Sequence, residues 1–182
     1  MVIHVVINLS MKQVIKIKML DKSIEPPSLM EGGDWIDLRA AEDIEFIGPY
    51  TIQSRKNVDR TTVFSDYKMP LGVAMELPDG YEAVLNMRSS AYKNYTVILA
   101  NGQGVIDGSY KGDNDQWFVH LIPFRSNIIK KGDRICQFRV QLSQRATCWQ
   151  KIKWLFSNGV KIKVVNNLNN NDRGGHGSTG KI

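Results

Sequence analysis

Hydrophobic and polar residues alternate along much of the chain, in short runs that turn-forming residues separate. Segments 14–19 and 160–164 place lysines between apolar residues, the pattern of half-buried strands whose lysines face solvent. Turn sequences follow similar runs at Pro78-Asp79-Gly80 and at Asn101-Gly102. The pattern predicts an all-β domain, either a barrel or a sandwich.

One segment, 145–156, carries a helical pattern, because Trp149, Ile152 and Phe156 recur at i, i+3 and i+7. A period of two competes with this interpretation over the same residues. We predict a short helix there and no other.

The chain has no internal repeat and no interior linker, so we predict a single domain over residues 12–165. Residues 1–11 are interpreted as an N-terminal extension. Residues 166–182 are Asn-rich and then glycine-rich, with little apolar surface to offset the entropy of ordering, and are predicted to be a flexible arm.

Composition narrows the class of protein further. With 182 residues, of which 42% are hydrophobic and 23% charged, the chain can bury its own core. No stretch approaches the roughly 18 consecutive apolar residues of a membrane span. Cys136 and Cys148 are too few for a disulfide framework or a zinc cage. We expect a cytoplasmic protein with reduced thiols and no membrane partner.

The net charge of +6 favours a polyanionic partner such as nucleic acid, a phosphate-rich ligand or an anionic membrane. The alternative is that the lysines only cover the solvent faces of strands. We find no helix-turn-helix, finger or basic-aromatic strand motif, so direct nucleic-acid binding is not expected.

Three polar clusters interrupt otherwise apolar strands. They centre on Asp37, on Arg88 with Ser89 and Ser90, and on Gln137. Each has an ordinary alternative as a turn residue or as polarity on a solvent-exposed face. An Arg followed by two hydroxyl residues also suits a phosphate site.

The segment from Asn101 to Gly112 is more informative, because it predicts a hairpin with a lone carboxylate, Asp107, directly after Val105 and Ile106. A carboxylate in that place is expected to be partly desolvated and held in position, as a general base requires. The alternative is an aspartate that caps a tight turn.

A fifth cluster, RGGHGSTG, closes the chain from Arg173 onward. Its glycines let backbone N–H groups converge, while its arginine and hydroxyls can donate to phosphate oxygens. The composition suits a segment that wraps an anion.

Taken in order, these five clusters resemble the five motifs of the homotrimeric dUTPases over about residues 12–182, most closely in GVIDGSYKG and GGHGSTG. The resemblance implies a distorted jelly-roll-like β-barrel. It also implies three active sites shared between three subunits, each closed by a C-terminal arm that reaches over a neighbouring active site. Longer chains of this kind resemble bacteriophage members from Gram-positive hosts.

The resemblance also assigns roles around the nucleotide. Asp107 would activate the attacking water and Tyr110 would pack against the deoxyribose. Asp37 would lie near a Mg²⁺ ion through water, and Leu-x-Ala-Ala after it favours it over Asp34. Uracil would be bound by Asn101 and the backbone of Gly104, Val105 and Ile106, and the phosphates by Arg88, Ser89, Ser90 and Gln137.

In the arm, His176 stands where the family carries an aromatic residue that stacks on uracil. Arg173, Gly177, Ser178 and Thr179 would hold the terminal phosphates together with Mg²⁺. Arg173 lies only three residues before His176, a shorter spacing than the family usually has. The interval before Arg173 is longer, because a segment at about 145–159 is inserted.

Two alternatives to dUTP hydrolysis remain at this point. A dCTP deaminase of the same fold is expected to carry a catalytic glutamate in the third motif, where this chain has Asp107 and Tyr110. A regulatory protein would dock on a repressor through the inserted segment, whose apolar residues alternatively form a satellite of the core.

Overall fold

The structure is a computed structural model that describes residues 12–29, 31–53 and 60–174. In chain order the strands are β1 (Gln13–Met19), β2 (Ile36–Arg39), β3 (Ile44–Phe46), β4 (Tyr50–Gln53), β5 (Arg60–Val63), β6 (Tyr67–Glu76), β7 (Tyr81–Met87), β8 (Val97–Leu99), β9 (Gly104–Ile106), β10 (Gln116–Pro123), β11 (Asn127–Ile129), β12 (Arg134–Leu142) and β13 (Val160–Val165). The helices are α1 (Ala91–Tyr95) and α2 (Cys148–Leu155).

Two larger sheets enclose the core. One has the strand order β13-β1-β6-β10-β8 and the other β2-β12-β7-β9. Two-stranded ribbons, β11-β3 and β4-β5, complete the described sheets. Trp117 of β10 and Phe138 of β12 meet edge to face at 5.1 Å, which joins the two larger sheets through the core. The all-β prediction is confirmed.

The first and last strands of the domain, β1 and β13, pair with each other, and both carry the alternating pattern of apolar residues and lysines. In β1, Ile15 and Ile17 are fully buried while Lys16 and Lys18 face the other side, where they pair with Glu76 and Asp113 at 3.1 Å. Strand β13 lies parallel to β1 in register. Both lysine-rich segments therefore form the half-buried strands that their pattern predicts.

The helix prediction is confirmed for α2 and was incomplete elsewhere. Thr147 and Gln150 form a reciprocal capping box at the start of α2, which fixes its first turn. Helix α1 was not predicted, because five residues are too few to show a helical period. Neither described helix is long and apolar enough to span a membrane.

The segment 166–174 differs from the free tether that composition suggests. Leu168 is buried, and the carboxylate of Asp113 accepts the backbone N–H groups of Leu168 and Asn169 at 2.8 and 3.1 Å. These carboxylate partners come from a loop distant in sequence, so the polar run itself does not reveal them. The predicted extension at 1–11 and the arm beyond Gly174 lie outside the described residues.

Candidate active site

A row of polar side chains crosses the outer face of the four-stranded sheet. Gln137 of β12 pairs with Asp37 of β2 on one side and with Asn86 of β7 on the other. Neighbouring residues such as Leu38 and Phe138 point into the core, so strand alternation directs the polar row away from it. The structure therefore brings together Asp37 and Gln137, which the sequence placed in separate clusters.

Asp37 holds two guanidinium groups beside this row. Its two carboxylate oxygens lie 2.9 Å from Arg88 Nε and 3.2 Å from Arg134 Nη1. The side chain of Asp37 is 17% exposed, so these pairs are partly shielded from water and fix the direction of Arg88. Its direct contacts are thus to arginines, and its predicted water-mediated contact to a metal ion stays a prediction.

Arg134 is a site residue that the sequence analysis did not single out. It begins β12 in the same cluster as Gln137, but an irregular register between Arg134 and Cys136 brings it to Asp37. A register irregularity of this kind leaves no clear signal in the sequence.

Ser89 and Ser90 follow Arg88 at the entrance to α1. Ser89 is exposed, and Ser90 occupies the N-cap position without a side-chain capping hydrogen bond. Together with Arg88 they lie just beyond the end of β7, and their role as a phosphate site stays a prediction.

The hairpin that carries the third motif forms the edge of the same sheet. Gly102 has φ +68° and donates its N–H to Leu99 O at 3.2 Å, which confirms the turn at Asn101-Gly102. Strand β9 (Gly104–Ile106) pairs with β7 and is last in the sheet order. Its outer edge can therefore offer backbone groups to a flat, hydrogen-bonding base.

Asp107 leaves this edge strand and caps a tight turn. The Ser109 N–H donates to Asp107 Oδ1 at 2.7 Å, and the Tyr110 N–H donates to the Asp107 carbonyl at 3.0 Å. Hydrogen bonds from the hydroxyl and the N–H of Ser109, aided by Arg173 and Arg145, hold the pKa of Asp107 below its ordinary value of 3.8.

The side chain of Asp107 is 65% exposed, so the predicted partial desolvation is not found within this chain. The two interpretations of Asp107, a turn cap and a general base, are compatible in the structure. One oxygen is used by the turn, while the group as a whole is ionised and open to water.

Tyr110 stands on the inner side of this turn. Its hydroxyl donates to the Gln116 carbonyl at 2.8 Å and its ring packs against the core. Burial, with Asp115 and Asp172 nearby, raises the pKa of the phenol. The ring is therefore a fixed, neutral surface, as exclusion by shape requires.

The arm reaches this hairpin through Arg173, whose Nη1 lies 3.9 Å from Asp107 Oδ1. In this structure the arginine thus contacts the proposed base, whereas the sequence assigned it to phosphate. His176, Gly177, Ser178 and Thr179 lie outside the described residues.

The two halves of the predicted site are separated within one chain. Ile106 pairs with Ala83, so Asp107 lies beside Glu82, whereas Arg88 lies six residues further along, just past β7. At roughly 3.3 Å per residue this separates Asp107 from Arg88 by about 20 Å. A single chain therefore does not bring the predicted base and the predicted phosphate-binding arginine together.

Within residues 12–29, 31–53 and 60–174, no three His, Cys, Asp or Glu side chains converge as ligands for a metal ion. Mg²⁺ is often held by one or two carboxylates, water and substrate phosphates instead of a protein cage. The exposed carboxylate of Asp107 and the polar row at Asp37 fit an ion held in that way.

Comparison with known proteins identifies the family. The dUTPase family model matches residues 48–180. A relative from Bacillus subtilis, the SPbeta prophage-derived deoxyuridine 5'-triphosphate nucleotidohydrolase, is 49% identical over 167 residues, covering 91% of this chain and 97% of its own. The chain belongs to the dUTPase family and is a dUTP diphosphatase, which hydrolyses dUTP to dUMP and pyrophosphate. The predicted resemblance to phage members from Gram-positive hosts is confirmed.

Solved structures agree on the fold. The dUTPase of phage phi11 of Staphylococcus aureus aligns with a TM-score of 0.56 at 14% identity, over 73% of this chain and 92% of its own. The Streptococcus mutans dUTPase aligns at 0.54 and 21% identity, over 68% and 92%. The predicted jelly-roll-like dUTPase fold is confirmed.

Proposed function

We propose that Asp107 is the general base of dUTP hydrolysis in this chain, and that the reaction limits uracil incorporation into DNA and supplies dUMP for dTMP synthesis. The observation that carries the proposal is the geometry of Asp107, a carboxylate that Ser109 holds and that remains ionised and open to water. We place this reaction in the cytoplasm, that of the host if a phage encodes the chain.

In the proposed step, a water molecule gives a proton to the Asp107 carboxylate while its oxygen bonds to the α phosphorus. The bond between the α phosphorus and the oxygen that bridges to the β phosphate breaks, and its electron pair leaves with pyrophosphate. The products are dUMP and pyrophosphate, and the proton on Asp107 passes to solvent.

Base and sugar would be selected at the hairpin. Asn101 and the backbone of Gly104, Val105 and Ile106 would bind uracil along the outer edge of β9. The ring of Tyr110, fixed by the Gln116 carbonyl, would occupy the space that a ribose 2′-hydroxyl needs.

The phosphates would be held by Arg88, Ser89, Ser90 and Gln137 of a neighbouring subunit. The distance of about 20 Å between Asp107 and Arg88 supports this arrangement, because the two must serve one nucleotide. A homotrimer with three shared sites satisfies that requirement, since a cyclic assembly repeats the same contact at each interface.

Mg²⁺ would be held mainly by the triphosphate and by water, with Asp37 in contact only through water because its oxygens already meet Arg88 and Arg134. When bound, the ion neutralises phosphate charge. Among the solved relatives, a mutant of the phage phi11 dUTPase is described with a structural Mg(II) ion.

The C-terminal arm would close over the bound nucleotide. Arg173, Gly177, Ser178 and Thr179 would donate to the terminal phosphates, and His176 would stack on uracil. Closure excludes bulk water from the reacting phosphate.

The test of this proposal is the variant Asp107→Asn, which keeps the shape and the turn but removes the proton acceptor. We expect kcat to fall by at least ~10²-fold with dUTP affinity roughly preserved. Asp79→Asn, at an exposed turn position, is the matched control and should retain activity. Near-normal turnover of Asp107→Asn would refute the assignment.

A second function, docking on a repressor protein, is favoured by the inserted segment. Helix α2 has no buried residue, and Trp149, Leu155 and Phe156 are 65%, 71% and 61% exposed. This does not fit the alternative of a satellite core patch. A Staphylococcus bacteriophage 80alpha dUTPase is described as controlling transfer of virulence genes.

Deletion of residues 145–159 with a short linker tests this second function. We expect an active trimer that no longer binds the repressor in a pull-down. Loss of folding would instead place the segment in the core, and unchanged repressor binding would exclude it as the contact.

A further inference from the structure

Asp115 is a buried carboxylate that the proposed reaction does not use. It is 2% exposed, and in the part of the chain that the structure describes it is the only charged side chain that is buried. A buried carboxylate is stable only when donors surround it. Asp115 accepts backbone N–H groups from Gly112 at 2.8 Å, from Arg173 at 3.0 Å and from Gly174 at 3.1 Å. It therefore joins the loop after the hairpin to the base of the arm, residues 166–174.

The loop that Asp115 closes also carries Tyr110. We call residues 110–116 the gate loop, because Tyr110 is proposed to exclude the ribose 2′-hydroxyl. Gly112 and Asp115 bond to each other twice, through the Asp115 carboxylate and through the Asp115 N–H to the Gly112 carbonyl at 3.3 Å. The Gln116 N–H donates to the Asn114 carbonyl at 2.8 Å, and the Gln116 carbonyl accepts the Tyr110 hydroxyl at 2.8 Å. The ring is thus anchored to the residue directly after Asp115.

The gate loop fits tightly against the base of the arm. A Cβ on Gly112 would overlap the Cα and the carboxylate of Asp172, so only glycine allows this approach. Asp172 in turn accepts the N–H and the side-chain amide of Asn114 at 2.8 and 2.7 Å. The gate loop is therefore held by Asp115 from within and by Asp172 from the arm.

The two ends of the gate loop are held in different ways. The Tyr110 N–H donates to the Asp107 carbonyl at 3.0 Å, which fixes the Tyr110 backbone to the turn of the proposed base. The Tyr110 hydroxyl depends on the Gln116 carbonyl at the other end, beside Asp115. Loss of the Asp115 carboxylate is therefore expected to free the ring while the turn at Asp107 is kept.

We propose that Asp115 is a positioning residue for sugar selection, which closes the gate loop, seats it on the base of the arm and so holds the Tyr110 ring against a ribose 2′-hydroxyl. This role rests on the proposed function of Tyr110 as the sugar gate. Because Asp115 is buried, it acts through the ring and not by contact with the nucleotide. UTP would be accepted only by molecules whose ring is displaced, so kcat/KM for UTP follows the population of that state.

The test is the specificity ratio of the full-length protein, kcat/KM for dUTP divided by kcat/KM for UTP, measured with Mg²⁺. The ratio does not depend on the fraction of folded enzyme, so a variant that is only less stable leaves it unchanged. Asp115→Asn replaces one acceptor oxygen by an amide that faces backbone donors. A hydrogen bond to a charged group changes a population by roughly 10-fold or more, so the ratio should fall at least ~10-fold.

Asp113→Asn is the matched control. The Asp113 carboxylate also accepts N–H groups of the arm, from Leu168 and Asn169 at 2.8 and 3.1 Å, and it pairs with Lys18 at 3.1 Å. This variant should loosen the arm and leave the specificity ratio unchanged. An equal fall in both variants would assign the effect to the arm and overturn the role of Asp115.

Tyr110→Phe is a second test that leaves the buried carboxylate intact. Phenylalanine keeps the ring but cannot donate to the Gln116 carbonyl, so the ratio should fall here as well. Added to Tyr110→Ala, Asp115→Asn should change the ratio no further, because no ring remains to be positioned. An unchanged ratio in Tyr110→Phe, or a further fall in the double variant, would overturn the role of Asp115.

Tyr110→Ala alone separates this role from the proposed function. If that variant does not admit UTP, Tyr110 is not the gate and the proposed sugar selection fails. If it admits UTP while Asp115→Asn keeps the original ratio, the gate stands and the role of Asp115 is wrong.

Discussion

Replacing Asp115 by Asn should release the base of the arm while leaving the barrel folded. The carboxylate accepts three backbone N–H groups, and Arg173 donates to both of its oxygens. Asparagine has a single carbonyl oxygen, and its amide nitrogen would face donors where an acceptor is needed.

The magnitude follows from the number and kind of bonds lost. A hydrogen bond to a charged group contributes about 1.5–3 kcal/mol, and at least one such contact cannot form in the variant. The detached state of the arm should therefore increase roughly 10- to 150-fold in population. Closure of the arm over the bound nucleotide should become less favourable by the same factor, and dUTP turnover should fall.

Native-state hydrogen exchange measures this change directly. We expect the amides of residues 168–174 to exchange faster by that factor, while those of β10 and β12 are unchanged. Asp79→Asn provides the matched control. Equal acceleration in the barrel would show general destabilisation, and unchanged exchange in 168–174 would refute the role of Asp115.

Three further changes probe the hairpin and the arm. Tyr110→Ala should admit UTP as a substrate because it opens space beside the ribose 2′ carbon, and continued exclusion of UTP in a kinetic assay would remove Tyr110 as the gate. Ser109→Ala removes a hydroxyl that lowers the pKa of Asp107, so the acid limb of kcat/KM against pH should move to higher pH; an unmoved limb would separate that limb from Asp107. His176→Phe should retain or improve dUTP affinity in calorimetry, whereas His176→Ala should weaken it by about 1–2 kcal/mol; equal loss in both variants would exclude stacking.

Local pattern was sufficient to predict much of the fold. Ile15 and Ile17 alternate with lysines, and the alternation alone identifies β1 as a half-buried strand. Helix α2 was predicted from Trp149, Ile152 and Phe156, and its capping box at Thr147 and Gln150 is also local. Helix α1 was missed since a single turn shows no period.

Features that depend on pairing between distant segments were not predictable in the same way. The contact of Arg134 with Asp37 depends on a register irregularity in β12. The attachment of the arm depends on Asp113 and Asp115, which lie more than 50 residues before the groups they bind. Composition predicted a free arm because it reports only the small apolar area of the segment. It does not report that Asp113 and Asp115 accept N–H groups of that segment.

Family motifs supplied the site residues, and the structure adds their arrangement. Asp107 was predicted to be partly desolvated, but in this chain it is exposed and is held by Ser109. The separation of about 20 Å between Asp107 and Arg88 follows from the register of β9 against β7, which no motif contains.

The most direct test of dUTP hydrolysis by this chain is to measure pyrophosphate release from each nucleotide separately in the presence of Mg²⁺. We expect that dUTP alone among dUTP, dCTP, dTTP and UTP yields pyrophosphate, with one dUMP formed for each pyrophosphate. Release of ammonia from dCTP, or comparable pyrophosphate from dTTP and dUTP, would contradict this expectation.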